Sequence, residues 1–318
     1  MTGYILRRIL WIIPVLWVVA TVTFFLMHAV PGGPFTEERP LPPQVLDALN
    51  RRYELDQPVW RQYLSYLWDL LHLDLGLSFR GDRDVAEVIR GGFFVTAQLG
   101  LLSMLLSLTA GLTLGTLSAV NRRGFFDYLG VAVATLGASV PSFVLASVLI
   151  VVFGVELGWF QVLGWGGPTH VSDFFDPSAW NLRKIVLPVV ALSALPTAYI
   201  ARVTRASLLE VLDQDYIRAA YAKGLTQRTV VLRHALKNAL IPVLTITGPM
   251  AAAFVTGSFV IESAFSIPGI GRAFVDALGQ RDYGVIMGMT LFYTAAVTFA
   301  NLAVDILYSV FDPRVRYG

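Results

Sequence analysis

The chain has 318 residues, of which 55% are hydrophobic and 14% are charged, and its formal net charge is +2 at pH 7. Soluble domains carry about 25% charged residues, so this chain has too few polar side chains to cover its surface in water. The composition therefore indicates a membrane protein. Cysteine is absent, which excludes disulfides, thiolate catalysis and cysteine-ligated zinc or iron–sulfur sites.

Six apolar stretches are long enough to cross a bilayer as helices. They cover residues 9–30, 93–120, 128–153, 185–201, 240–261 and 285–310. Several contain proline, which a helical bundle tolerates because neighbouring helices satisfy the carbonyls that proline frees. The predicted fold class is an all-α membrane protein with six transmembrane helices.

The first stretch has a cleaved signal peptide as its alternative interpretation, because Arg7 and Arg8 precede it. Its length exceeds the usual apolar core of about 7–15 residues, and Pro-Gly-Gly-Pro (31–34) follows where a signal peptide has small residues. We expect it to be a retained helix.

The distribution of cations predicts the orientation. With a cytoplasmic N-terminus, the inside segments 1–8, 121–127, 202–239 and 311–318 hold thirteen Lys and Arg residues. The two short outside loops hold four, namely Arg183, Lys184, Arg272 and Arg281. Cytoplasmic loops carry the excess of Lys and Arg, so both termini are predicted to be cytoplasmic.

This orientation divides the chain into three parts. Residues 1–92 hold the first helix and a long extracytoplasmic segment, 93–311 form a five-helix core, and 312–318 form a cytoplasmic tail. Within 31–92, apolar residues recur at spacings of three and four, which predicts short amphipathic helices. Two interpretations of this segment stay open: a structural cap over the bundle, or a docking surface for an external partner.

Residues 202–238 form the longest cytoplasmic loop, and we expect a short helix over 216–223 within it. Asp213 and Asp215 are candidates for its N-cap, and Gly224 stands where a left-handed residue ends a helix. Thr226 is placed to cap a second helix that continues into the fifth span.

The sequence of this loop resembles a known family. Asp-Tyr-Ile-Arg-Ala-Ala-Tyr-Ala-Lys-Gly-Leu (215–225) and Leu-Arg-His-Ala-Leu-Lys-Asn-Ala-Leu-Ile-Pro (232–242) are similar to the Glu-Ala-Ala…Gly loop of ABC importer permeases. The similarity is greatest to the B-type permease of the dipeptide/oligopeptide (and nickel) group. Arg218 and Lys237 depart from the general motif, which has Glu and Pro there.

Further signatures of that group occur along nearly the whole chain. They are Tyr-Ile-Leu-Arg-Arg-Ile-Leu (4–10), Leu-Asp-Leu-Gly-Leu-Ser-Phe (73–79), Ser-Val-Pro-Ser-Phe (139–143), Phe-Ser-Ile-Pro-Gly-Ile-Gly-Arg (265–272), Arg-Asp-Tyr (281–283) and Asp-Pro-Arg-Val-Arg-Tyr (312–317).

The resemblance implies a type I ABC importer permease that translocates di- or oligopeptides, with nickel, glutathione or another small solute as alternatives. It implies a coupling helix seated in a cleft of an ATP-binding subunit. The residues assigned to this contact are Ile217, Ala219, Ala220, Tyr221 and Gly224. The implied partners are a sister permease, two ATP-binding subunits that hold ATP and magnesium, an extracytoplasmic substrate-binding protein and the lipid bilayer.

No catalytic or nucleotide-binding motif occurs in the chain itself. A G-x-x-x-x-G-K-[ST] phosphate loop is absent, so we expect no enzyme activity and no cofactor here, and nothing suggests a nucleic-acid partner. The four histidines at 28, 72, 170 and 234 are too scattered in sequence to predict a metal site.

Asp305 is the one carboxylate well inside a predicted span. An ionised Asp at a helix centre costs about 2.5–3.5 kcal/mol, so it needs a partner or a wet cavity. It is either a polar tie to a neighbouring helix or a proton relay, and an ion site here is what a secondary carrier acting alone would need. Outside the spans, residues 268–280 are predicted to form an interfacial helix.

The predicted orientation is tested by cysteine labelling on this cysteine-free background. Single substitutions Ser65→Cys and Ser178→Cys should react with an impermeant thiol reagent added outside intact cells, because both sites lie in extracytoplasmic segments. Gln227→Cys should react only after the membrane is permeabilised. Labelling of position 227 from outside would invert the topology.

Overall fold

The computed structural model describes residues 2–35 and 42–311, with side chains from Arg7 onward to Ile306. The predicted cytoplasmic tail, 312–318, lies outside this part of the chain. The helices are α1 Thr2–Ala29, α2 Pro43–Arg52, α3 Val59–Leu71, α4 Val85–Val120, α5 Phe125–Ser139, α6 Ser142–Leu149, α7 Leu182–Leu212, α8 Asp215–Ala222, α9 Gln227–Thr229, α10 Leu236–Val255, α11 Phe259–Ala264, α12 Ile270–Gln280 and α13 Tyr283–Phe311. Two π-helical segments, Ile150–Glu156 and Val230–Ala235, follow α6 and α9 directly.

Five of the predicted spans are found as helices long and apolar enough to cross a membrane. They are Arg7–Ala29, Val85–Val120, Leu182–Leu212, Gln227–Val255 and Tyr283–Ile306. A sixth crossing exists if the bent pair Phe125–Ser139 and Ser142–Glu156 counts as one span.

The predicted span over 128–153 is not one continuous helix. The chain bends there by 107°, between α5 and α6. Val140 adopts an extended conformation (φ −89°, ψ 121°) and Pro141 follows it. Proline has no N–H and disfavours helical geometry in the residue before it, so the helix ends at Ser139.

The predicted end of the fifth span is also wrong. Its helix, α10, ends at Val255 instead of Ile261, and residues 259–261 belong to the separate helix α11. Gly257 lies between them with φ +76°, a left-handed conformation that interrupts a helix and suits glycine. The predicted interfacial helix over 268–280 is found as α12, which begins two residues later.

The centre of the bundle is the contact of α4 with α7. Gly111 lies against Ile200, and Gly115 lies against the carbonyl of Ala201 and the side chain of Thr204, so closely that a Cβ atom on either glycine would collide. The hydroxyl of Ser107 donates to the Ser193 carbonyl at 3.3 Å across the same contact. Small residues allow this approach, which adds dispersion and hydrogen bonding where lipid supplies no hydrophobic drive.

A buried ion pair closes this contact towards the predicted cytoplasmic side. The carboxylate of Asp127 on α5 accepts two hydrogen bonds from the Arg205 guanidinium on α7, at 2.7 and 3.0 Å. Ser118 on α4 donates to the same carboxylate at 2.6 Å, as does the Arg123 backbone N–H at 2.8 Å. Three helices are thereby joined through one carboxylate.

Part of the extracytoplasmic segment is attached to the bundle at the junction of α12 and α13. The Asp282 carboxylate accepts from the Ser78 hydroxyl at 2.5 Å and from the Phe79 N–H at 2.9 Å. Arg281 donates to the Pro31 carbonyl at 3.0 Å. These contacts agree with the interpretation of residues 31–92 as a structural cap.

Candidate coupling surface and membrane cleft

The predicted cytoplasmic helix is present as α8, shifted by one residue. Gln214 occupies the N-cap position, so Asp213 and Asp215 do not. Asp215 is instead the first helical residue and pairs with Arg218 at 3.2 Å, where an acid is favoured by the helix dipole. Gly224 has φ +81°, as predicted, and Thr226 accepts from the Thr229 N–H as the predicted cap.

The residues assigned to coupling do not share one exposed surface. Ile217 and Ala220 are buried inside the permease itself, in a cluster with Leu208 of α7, Val230 and Val231 of the π-helix, and Ala239 of α10. Ala219, Tyr221 and Gly224 are exposed. The Ala220 side chain packs inward in this structure, away from the surface at which we expected it to meet an ATP-binding subunit.

The outward face of α8 consists of small and polar residues. Ala219 and Ala222 lie three positions apart with Asp215 and Arg218 beside them, and all four are exposed. Tyr216 and Tyr221 flank this face, and the Tyr216 hydroxyl accepts from the Asn238 side chain at 2.7 Å. The face is thus a rigid, shallow surface that another protein can approach closely.

A cleft of about 450 Å³ lies where the bend between α5 and α6 meets α7 and α10. The bend supplies Ser139, Pro141 and Ser142, and the break after α10 supplies Gly257 and Ser258. The walls from α7 and α10 are apolar and consist of Ala191, Leu192, Ala194, Leu195, Pro196, Met250, Ala253 and Phe254. Both interruptions of the predicted spans therefore line one cavity.

Beside this cleft lies a buried carboxylate that our sequence analysis missed. Glu262 on α11 is fully buried, and its carboxylate accepts from the Gly271 N–H at 2.7 Å and the Arg272 N–H at 3.2 Å, at the start of α12. The Thr96 hydroxyl of α4 donates to it at 3.0 Å and accepts from the Ile270 N–H. Burial raises the pKa of the Glu262 carboxyl, and these donors act in the opposite direction.

The geometry around Glu262 fastens α12 to α4. Gly257 and Gly269 lie so close to the carboxylate that a side chain on either would collide with it. The sequence contained one signal for this cluster. Glu262 lies three residues before Phe-Ser-Ile-Pro-Gly-Ile-Gly-Arg (265–272), which contains the predicted start of the helix over 268–280 and therefore its unpaired backbone N–H groups. Helix N-termini bind carboxylates.

Asp305 forms an ion pair with Arg8 of α1, and the two side chains are 23% and 44% exposed. This pairing is what a polar tie between neighbouring helices requires. The histidines remain apart, and among the described residues no three His, Asp or Glu side chains come close enough to hold a metal ion.

Comparison with known proteins identifies the family. Residues 111–317 match the family "Binding-protein-dependent transport system inner membrane component", and residues 1–100 match its N-terminal companion. The chain is a member of this family of ABC importer permeases. Family membership gives no support to the alternative of an ion-coupled carrier that acts alone.

Two relatives are similar over their full length. The dipeptide permease DppB of Bacillus subtilis is 41% identical over 99% of this chain and 98% of its own. The oligopeptide permease OppB of Salmonella typhimurium is 42% identical over 100% of both chains. The fold of the present chain is also that of a solved structure, the MetNI methionine ABC transporter in an inward-facing conformation. The TM-score is 0.53 and the sequence identity 18%, over 71% of this chain and 97% of that one.

The Glu262 cluster generates a stability prediction. Glu262→Ala leaves buried N–H groups without acceptors, so the purified permease should lose about 2–4 kcal/mol of unfolding free energy. Glu262→Gln keeps one acceptor oxygen for the Gly271 and Arg272 N–H groups and puts an amide donor in place of the oxygen that faces Thr96, so it should lose less than Glu262→Ala does. The measurement is thermal unfolding in detergent. Equal stability of Glu262→Ala and the unchanged permease would show that the cluster does not hold α12.

Proposed function

We propose that this permease imports di- and oligopeptides across the inner membrane, driven by ATP hydrolysis on separate subunits, with both termini in the cytoplasm. The full-length similarity to DppB and OppB supports the peptide substrate over nickel, glutathione or another solute. A sister permease, two ATP-binding subunits and an external substrate-binding protein complete the transporter. ATP and magnesium belong to the ATP-binding subunits.

The observation that carries the mechanism is the two-sided arrangement of α8. Its inward residues Ile217 and Ala220 contact both α7, through Leu208, and the start of α10, through Ala239. Its outward face, with Ala219 and Ala222, is exposed. We assign the outward face to the ATP-binding subunit, and the inward face to the transmission of its movement.

A movement of α8 reaches the cleft at the bend of α5 and α6, because α7 and α10 both line this cleft. Packed interiors transmit displacement instead of absorbing it, so a shift of α8 changes the width of this cleft. The cleft is accordingly this subunit's share of the translocation pathway. Serine hydroxyls and freed backbone groups at the breaks supply the polar atoms that a peptide backbone needs for hydrogen bonding.

The substrate is tested by uptake into proteoliposomes that contain the complete transporter and its external binding protein. A labelled tri- or tetrapeptide should accumulate only when ATP is inside, and excess unlabelled peptide should abolish the accumulation. Nickel or glutathione uptake without peptide uptake would contradict the proposal.

The coupling surface is tested by Ala219→Trp. The new side chain projects from the exposed face, so the permease should fold normally, whereas a close contact would be overpacked by about 1–3 kcal/mol. Co-purification of the ATP-binding subunits should fall roughly five- to 100-fold, and peptide uptake should fall with it.

Ala48→Trp is the matched control, since Ala48 is an exposed alanine on the short helix α2 of the extracytoplasmic segment. It should leave the association with the ATP-binding subunits unchanged. If Ala219→Trp retained these subunits and transported peptide like the unchanged permease, α8 would not be the coupling contact.

A further inference from the structure

Helix α3 of the extracytoplasmic segment lies against the outer part of α1. The Tyr63 hydroxyl is 2.7 Å from the Thr21 hydroxyl, and the Tyr66 ring stacks on Phe24 with 5.6 Å between centroids. At the other end of this contact, His28 Nε2 lies 2.9 Å from Gln62 Oε1. One side of α3 is therefore fixed to a membrane-spanning helix.

These contacts lie between Thr21 and His28, along the last two turns of the α1 span, and so place α3 at the outer edge of the membrane. The span of α1 continues to Ala29, and Thr21 is eight residues, or about 12 Å of helix rise, before that end. Val22, Phe25 and Leu26 of α1, in the same turns, are exposed and face lipid. A surface beside them is at the level of the outer leaflet.

The rest of α3 is divided into two sectors. Trp60, Leu64, Trp68 and Leu71 recur on one side and are 61%, 55%, 64% and 77% exposed. Arg61, Ser65 and Asp69 come directly after Trp60, Leu64 and Trp68 in sequence and lie on the adjacent side of the helix. No residue of α3 is buried. The helix thus has a side against α1, an apolar side and a polar side.

We propose that α3 is an in-plane membrane anchor, which inserts Trp60, Leu64, Trp68 and Leu71 among the lipid acyl chains of the outer leaflet. Arg61, Ser65 and Asp69 then face water. This sector pattern is that of helices that lie in the membrane interface, where tryptophan is enriched.

Two features favour lipid over a protein as the occupant of the apolar side. The exposed ring of Phe25 on α1 contacts Tyr63 of α3, with 5.3 Å between ring centroids, and Tyr63 lies one helical turn from Trp60, so the exposed apolar surfaces of the two helices meet there. The contacts with Thr21 and His28 also hold α3 beside the outer end of the α1 span, where lipid is the immediate neighbour. The anchor holds the outer end of α1 between lipid and the bundle, and it presents the rest of the extracytoplasmic segment at a constant height above the membrane.

The test uses fluorescent probes attached to single cysteines in the complete transporter, reconstituted in phosphatidylcholine nanodiscs without the external binding protein. Leu64→Cys and Ser65→Cys are adjacent positions on the two sectors. At position 64, a nitroxide near the head of the lipid acyl chain should quench the probe more than iodide does, because the apolar face of an interfacial helix is buried at the boundary of headgroups and acyl chains. At position 65 the order should reverse.

A second pair, Trp68→Cys and Asp69→Cys, repeats the comparison one turn further along and guards against a local disturbance at position 64. Iodide quenching at positions 64 and 68 that matches positions 65 and 69 would mean that the apolar side lies in water. Protection of positions 64 and 68 from both quenchers would mean that another protein chain covers it. Either result overturns the anchor.

Discussion

Without side chains at Gly111 and Gly115, the backbone of α4 lies directly against α7, and both ends of the bundle depend on this contact. At one end, α4 carries Thr96, which holds Glu262 and through it the start of α12. At the other end, α7 carries Leu208, on which α8 packs. Because α4 and α7 are continuous helices of 36 and 31 residues, they connect the Glu262 cluster with the surface on which α8 packs.

The two places where the spans are interrupted are both beside the cleft. Pro141 ends α5, and Gly257 separates α10 from α11, and both residues line the cavity. Irregular backbone at membrane depth is tolerated only where protein or a water-filled cavity satisfies its polar groups. The breaks therefore belong to the cavity and not to the lipid-facing surface, which suits a surface that contacts solute.

Buried carboxylates hold the segments that α4 and α7 position. Asp127 joins α5 to α7, Glu262 joins α11 and α12 to α4, and Asp282 joins α13 to the extracytoplasmic segment. Each accepts at least three hydrogen bonds, and backbone N–H groups contribute to each set. Such sets stabilise a charge where water is excluded. Removing one partner of such a set destabilises the fold, because it leaves a buried polar group without a hydrogen bond.

The sequence by itself determined the membrane class, five of the six spans, the position of α8 and the left-handed residue Gly224, since apolar length and local backbone preference are properties of short segments. It marked Pro141 inside a span, but only the structure decided that the chain turns by 107° there instead of continuing with a kink. It assigned Ile217 and Ala220 to the contact with an ATP-binding subunit, and the structure decided that these two side chains are turned towards α7 and α10. Glu262 and Thr96 are 166 residues apart in sequence. The sequence pattern around each of them does not predict that the other is its hydrogen-bond partner. Contacts between distant segments decide which face is buried and which carboxylate finds donors, and no local pattern encodes them.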